Sequence, residues 1–164
     1  MFNLGSKEPV IAKARTLIER PPAEIFRYLG DGFFENYPKW SPEVIELECI
    51  TDGPVKLGTI ARQVRIDQGR RSETKFTINV YERDKRLGFI GVSDPFLCIY
   101  ELREINSGTA ELIFTFELSE IQLFMRPFEK LIRVVVQEGA ERTVRNLKQL
   151  TEASKAVSPN PPRP

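Results

Sequence analysis

Histidine is absent from the 164 residues of the chain. With it go the commonest general base near neutral pH and the commonest transition-metal ligand. Cysteine is scarce: Cys49 and Cys98 stand far apart, each inside an apolar run, so no thiol pair has the spacing of a metal site. Both read as buried free thiols, with a disulfide between them left open. A charge bias is missing as well, because 24 Lys and Arg against 23 Asp and Glu leave a formal charge of +1, which gives no global field to attract nucleic acid or an anionic bilayer. No run approaches the roughly 18 apolar residues of a membrane span. Residues Met1 to Pro9 have neither the basic start nor the apolar stretch of a secretory leader. No phosphate-cradling glycine loop is present, and no two carboxylates stand at a spacing that marks an acid/base pair. The expectations are a cytoplasmic protein with no nucleic-acid partner, no stable membrane insertion, no metal and no cofactor.

What is present is a composition 41% hydrophobic with 11 Phe, enough for one domain with a sizeable core. Residues 1–9 read as a polar leader, 10–156 as a single domain and 157–164 as a disordered tail, since four of the last seven residues are proline. Towards the end, Phe128, Leu131, Ile132, Val135, Val136, Ala140, Thr143, Leu147 and Leu150 recur at three- and four-residue spacings, with charged residues largely between them. That pattern predicts one long amphipathic helix from about Ser119 to Ala153. Ser119 with Gln122 resembles a capping box, and Pro127 predicts either a short turn that restarts there or a kink.

The preceding hundred residues read as strands. Val10 to Ile18 alternates, with the small residues Ala12, Ala14 and Thr16 on one face, which either leaves room opposite or reflects close packing. Pro21 and Pro22 open a short helix carrying Ile25, Phe26 and Leu29. Gly30 and Gly32 interrupt it, and Phe33, Phe34, Tyr37 and Trp40 then crowd around prolines, predicting an irregular, partly buried lid. Trp40 either wedges that lid against the sheet or lines a pocket. Six strands follow, at Val44–Thr51, Gly58–Asp67, Ser72–Tyr81, Leu87–Val92, Phe96–Ile105 and Thr109–Leu118. The turns between the last five carry Gln68-Gly69-Arg70, Asp84-Lys85-Arg86, Ser93-Asp94-Pro95 and Asn106-Ser107-Gly108. Successive hairpins predict an antiparallel meander.

In the third strand, Arg62 shares a parity with Ile60, Val64 and Ile66. If those aliphatics face inward, so does Arg62, and a buried guanidinium needs an acidic or anionic partner; a bulge would instead expose it. Tyr100 shares a parity with Phe96, Cys98 and Leu102, and Thr74 is a weaker polar candidate. Gly139 interrupts the helical stripe, where glycine costs about 1 kcal/mol relative to alanine.

Taken in order, Ile18 through Phe26 with Pro21-Pro22, Trp40-Ser41-Pro42 with Val44, Gly53-Pro54, Gly58-Thr59, Gly108-Thr109 and Leu147 to Glu152 give the chain a family likeness. It resembles the START-like superfamily, in particular its polyketide cyclase/dehydrase and lipid-transport branch, over about residues 10–153. The resemblance implies an α+β helix-grip fold: a curved antiparallel sheet of about seven strands wrapped around a long C-terminal helix, with two short helices after the first strand. It further implies a cavity between sheet and helix for an apolar or amphipathic small molecule or lipid; the strand alternation, the helical stripe and the aromatic segment put forward Trp40, Tyr37, Arg62, Thr74, Phe76, Tyr100, Phe114, Val135 and Gly139 as its candidate lining. The same fold serves carriers or sensors, cyclases or dehydratases, and co-chaperone-like interaction modules, so it does not by itself select an activity.

Overall fold

In the computed structural model, which describes residues 8–154, the chain opens with strand β1, Val10–Ile18. The expected leader up to residue 7 and the expected tail from residue 157 lie outside the described residues. Strict alternation on β1 buries Val10, Ala12, Ala14 and Ile18 and exposes Ile11, Lys13, Arg15 and Leu17. Pro21 and Pro22 then set the backbone for helix α1, Pro22–Phe26, where the missing proline N–H costs no helical bond. One π-helical turn, Arg27–Asp31, leads into helix α2, Phe33–Trp40. The aromatic stretch is therefore helical and not the irregular lid expected. Phe33, Tyr37 and Trp40 follow one another at helical spacing and are its buried face, and that burial outweighs the breaking tendency of Pro38 in the last turns.

The meander follows as β2 (Val44–Cys49), β3 (Ile60–Asp67), β4 (Arg70–Glu82), β5 (Arg86–Gly91), β6 (Phe96–Asn106) and β7 (Thr109–Leu118). All pairings are antiparallel in the order β1-β7-β6-β5-β4-β3-β2. Because β1 and β2 are the two edges, the α1–α2 segment must cross from one side of the sheet to the other. Register shifts in the β2–β3, β4–β5 and β6–β7 pairings bend it. The β3–β4 turn has positive φ at both Gln68 and Gly69, 52° and 78°, the pair of left-handed residues that suits the twist of a two-residue hairpin.

After β7, Ser119 does not cap a helix: its amide and its hydroxyl both donate to the Pro95 carbonyl. A 3₁₀ turn, Leu123–Phe128, carries Pro127, and helix α3 starts directly after it at Glu129 and runs to Ser154. Proline thus separates a turn from the long helix, as one of the two expected arrangements had it. At 26 residues, α3 is about 39 Å long. Its fully buried residues, Ala140, Val144, Leu147 and Thr151, all lie from Ala140 onward, with Val136 before them packed only partly against the core. Phe128 and Leu131, expected in the buried stripe, are exposed, because the sheet does not extend under the first turns of the helix.

Helix and first strand are tied along the open β1 edge. Gln137 donates to the Lys13 carbonyl, Lys148 to the Leu17 carbonyl, and the Glu19 amide to Glu152. Buried Arg20 donates to the backbone carbonyl of Glu152, satisfying one of the acceptors that a helix end leaves open. The result is a seven-strand curved sheet around one long helix, with two short helices after the first strand: the helix-grip α+β fold.

Candidate ligand cavity

The curved sheet and α3 do not close on one another. Between them lies a cavity of about 320 Å³. Aromatic side chains from the central strands form one wall: Phe89 of β5, Phe96 and Tyr100 of β6, and Phe114 and Phe116 of β7. Val135, Val136, Gly139 and Ala140 of α3 form the opposite wall, and Tyr37 and Trp40 of α2 close one side. Gly139 lacks a Cβ where one would meet only Arg142 Nη2, at 3.9 Å, so the space there is open and not filled by sheet. Rings pack against one another through this wall, with Tyr100 and Phe114 tilted and centred 4.8 Å apart and Trp40 edge-on to Tyr100 at 5.8 Å.

One end is polar. Arg65 of β3 is fixed by Asp67 through Nε and Nη2, both at 3.0 Å, and its Nη1 donates to the Tyr37 hydroxyl at 3.1 Å and to Ser41 Oγ at 3.3 Å. Tyr37 in turn donates to Gln63 Oε1 at 3.1 Å, and Gln63 Nε2 donates to Thr74 Oγ. Ser41 Oγ also lies 3.3 Å from Glu43, which bridges to Arg142 of α3 at 3.1 Å. A polar chain therefore runs from inside the cavity to the helix. Burial acts to lower the Arg65 pKa, but its contacts with Tyr37 and Asp67 outweigh that and hold the guanidinium charged. Burial pushes Tyr37 and Tyr100 well above the ordinary phenol range and Cys98 up to about 12, so at neutral pH all three are proton carriers and none is a base.

Of the residues singled out in the sequence, Tyr37, Trp40, Thr74, Tyr100, Phe114, Val135 and Gly139 come together around this space. Trp40 is a fixed wall. It is 1% exposed, its indole donates to the Tyr100 hydroxyl at 3.1 Å, and its carbonyl accepts from Asn146 of α3 at 3.0 Å. Phe76 lies behind the cavity, packed against Phe89, Phe33 and Tyr37 where α2 covers β4. Arg62 is outside it. On β3 the residues turned inward are Ala61, Gln63 and Arg65, while Arg62 points to the outer face and pairs with Glu46, Glu48 and Glu73. Ile66 on the same parity is exposed, and Val64, although buried, is not part of the main core cluster. The aliphatic parity was the misleading one: polar Gln63 and Arg65 occupy the concave face because they find partners there. Cys49 is exposed, with its thiol on the Thr51 carbonyl, and Cys98 is buried.

Gln63, Arg65, Phe89 and Phe116 are cavity residues the sequence reading did not pick out. A signal existed for Arg65, since Ala61 is the smallest residue of β3 and a small side chain suits the concave face. Among the described residues, no group of three or more Cys, Asp and Glu is placed to hold a metal ion, and no helix is long and apolar enough to cross a membrane.

Comparison with known proteins agrees with this architecture. No curated protein matches the chain. Solved structures do: the Zhui aromatase/cyclase from Streptomyces sp. R1128 is similar at a TM-score of 0.78 and 9% identity, covering 94% of this chain and 100% of that one. A START superfamily protein from Mycobacterium smegmatis matches at 0.72 and 13%, covering 88% and 98%. A norcoclaurine synthase from Thalictrum matches at 0.70 and 14%, covering 92% and 99%. At such identities these likenesses speak for the fold alone. The model of the family described as polyketide cyclase / dehydrase and lipid transport matches residues 10–152, and the chain belongs to that family.

Proposed function

We propose that the protein binds a hydrophobic small molecule with an oxygen-bearing polar end, as a carrier or sensor. The observation that carries this reading is the unfilled space between sheet and α3, walled by rings and bearing the guanidinium groups of Arg65 and Arg142 at its polar end. Its volume of about 320 Å³ is at the low end of small-molecule sites, which suits two or three fused rings or a short acyl chain better than a two-tailed lipid. Arg65, preset by Asp67, Tyr37 and Ser41, would meet a carboxylate or carbonyl oxygen.

A second reading, a cyclase or dehydratase acting on a poly-β-keto chain, draws on Arg65 and Tyr37 as a pair able to stabilise a developing oxyanion. The carboxylates within the cavity weigh against it, because Asp67 is engaged by Arg65 and Glu43 by Ser41 and Arg142. A general base needs an unengaged acceptor in reach of the proton it removes. Organic extraction of natively purified protein, followed by mass spectrometry and a binding screen of fatty acids and fused-ring ketones, tests the reading. Co-purified or titratable ring or short acyl compounds are expected. A protein that takes up neither overturns it.

A further inference from the structure

We infer that the cavity selects ligands presenting an acceptor oxygen to the Tyr100 hydroxyl, and that Trp40 imposes this polarity. An indole N–H can only donate. At 3.1 Å from Trp40 Nε1, the Tyr100 oxygen is therefore committed as the acceptor of that bond. Trp40 cannot turn away, since it is buried at the end of α2 and its carbonyl is held by Asn146. The Tyr100 proton is then left over: no acceptor among the described residues takes it, although the side chain is 2% exposed and lines the cavity. Burial keeps that hydroxyl protonated far beyond neutral pH.

Two further groups of the polar wall are fixed by their partners. Thr74 Oγ accepts from Gln63 and keeps its own proton, while the Tyr37 proton is spent on Gln63 Oε1. The acceptors nearby, Asp67 and Glu43, are already engaged. Beside the Trp40–Tyr100 bond the unspent group is a donor, so a ketone, quinone or carboxylate oxygen completes that part of the wall, whereas a ligand N–H would face a donor. Gln68 and Ser72, which also line the cavity, can donate or accept and add no preference of their own. This selectivity rests on the cavity being the ligand site.

Three tricyclic probes differing only at the bridge position test it: fluorene with CH₂, fluorenone with C=O and carbazole with N–H. Calorimetric titration of the wild-type protein should rank fluorenone about fivefold tighter than fluorene, the worth of one neutral hydrogen bond, and carbazole weakest. Tyr100→Phe should bind fluorenone and fluorene alike. Trp40→Phe, which frees the Tyr100 hydroxyl to turn, should bring carbazole level with fluorene or above it. Equal wild-type affinity for fluorene and fluorenone overturns the inference and leaves the cavity reading standing, as does a preference that survives in Tyr100→Phe. If none of the three binds, both fall. Should either variant fail to fold, the wild-type ranking alone decides.

Discussion

Two arginines three residues apart on one strand have opposite fates, and period-two alternation explains how. Arg62 sits on the outer face among Glu46, Glu48 and Glu73, where solvent screens the pairing; exposed ion pairs of this kind contribute about 0–1 kcal/mol. Arg65 is the inward one. Arg62→Met should accordingly leave ligand affinity unchanged and stability within about 1 kcal/mol. Arg65→Met should weaken a carboxylate-bearing ligand about tenfold or more, the loss of a charged hydrogen bond, as titration of both variants would show. The two cysteines also separate. Cys49 should be alkylated readily at pH 8, with Cys98 untouched until the chain unfolds, because burial holds its thiol protonated up to about 12. The sign of the linked stability follows. Folding favours the neutral thiol, so this contribution is complete below the ordinary thiol value of 9.0 and is lost as pH rises towards about 12. Each pH unit in that window removes up to about 1.4 kcal/mol. Urea unfolding between pH 8 and 10, below the main range of tyrosine, should show a steeper decline for wild type than for Cys98→Ala.

Among the elements, α3 divides at Gly139. Beyond it, Ala140, Val144, Leu147 and Thr151 are gripped; before it, Leu131 and Val134 are exposed. Leu147→Ala should therefore cost about 2–5 kcal/mol as a core truncation, while Leu131→Ala should stay within about 0.5 kcal/mol, both read from denaturant unfolding. Gly139→Ala should stabilise by about 1 kcal/mol, since the helix gains and the added carbon meets only Arg142 at 3.9 Å. Strands and turns were readable because each hairpin carried its own local signal; β1 has the very bounds its alternation predicts. Three features were not. Helical periodicity in Phe128 and Leu131 marks an apolar stripe but not how far a sheet extends to cover it. The 33, 37, 40 spacing of α2 was hidden behind Pro38, whose local preference loses to the burial of three rings. On β3 the inward face carries Gln63 and Arg65, whose places depend on Tyr37 and Thr74 from other elements as well as on Asp67 two residues along the strand. Hydrophobic pattern ranks faces by apolarity, and a polar cavity end violates that ranking.

At the scale of the whole molecule, the sheet bends enough to surround α3 without meeting it everywhere, and the remaining space is closed by the rings of α2. Register shifts in three of the strand pairings bend the sheet, and the crossing of α1 and α2 between the two sheet edges supplies the closing wall. Small residues on β1 let α3 approach closely at one side, and the glycine at 139 withholds a side chain at the other. Function in this account is a property of that asymmetry. The most direct test is a heteronuclear NMR titration of wild type and Gly139→Leu with fluorenone. Leucine at 139 should fill the cavity without unfolding the helix, so the account predicts saturable shifts in wild type at Trp40 Nε1–H, Cys98, Tyr100 and Gly139, and none in Gly139→Leu. Shifts confined to the outer face around Arg62, or undiminished binding by the filled variant, would contradict it.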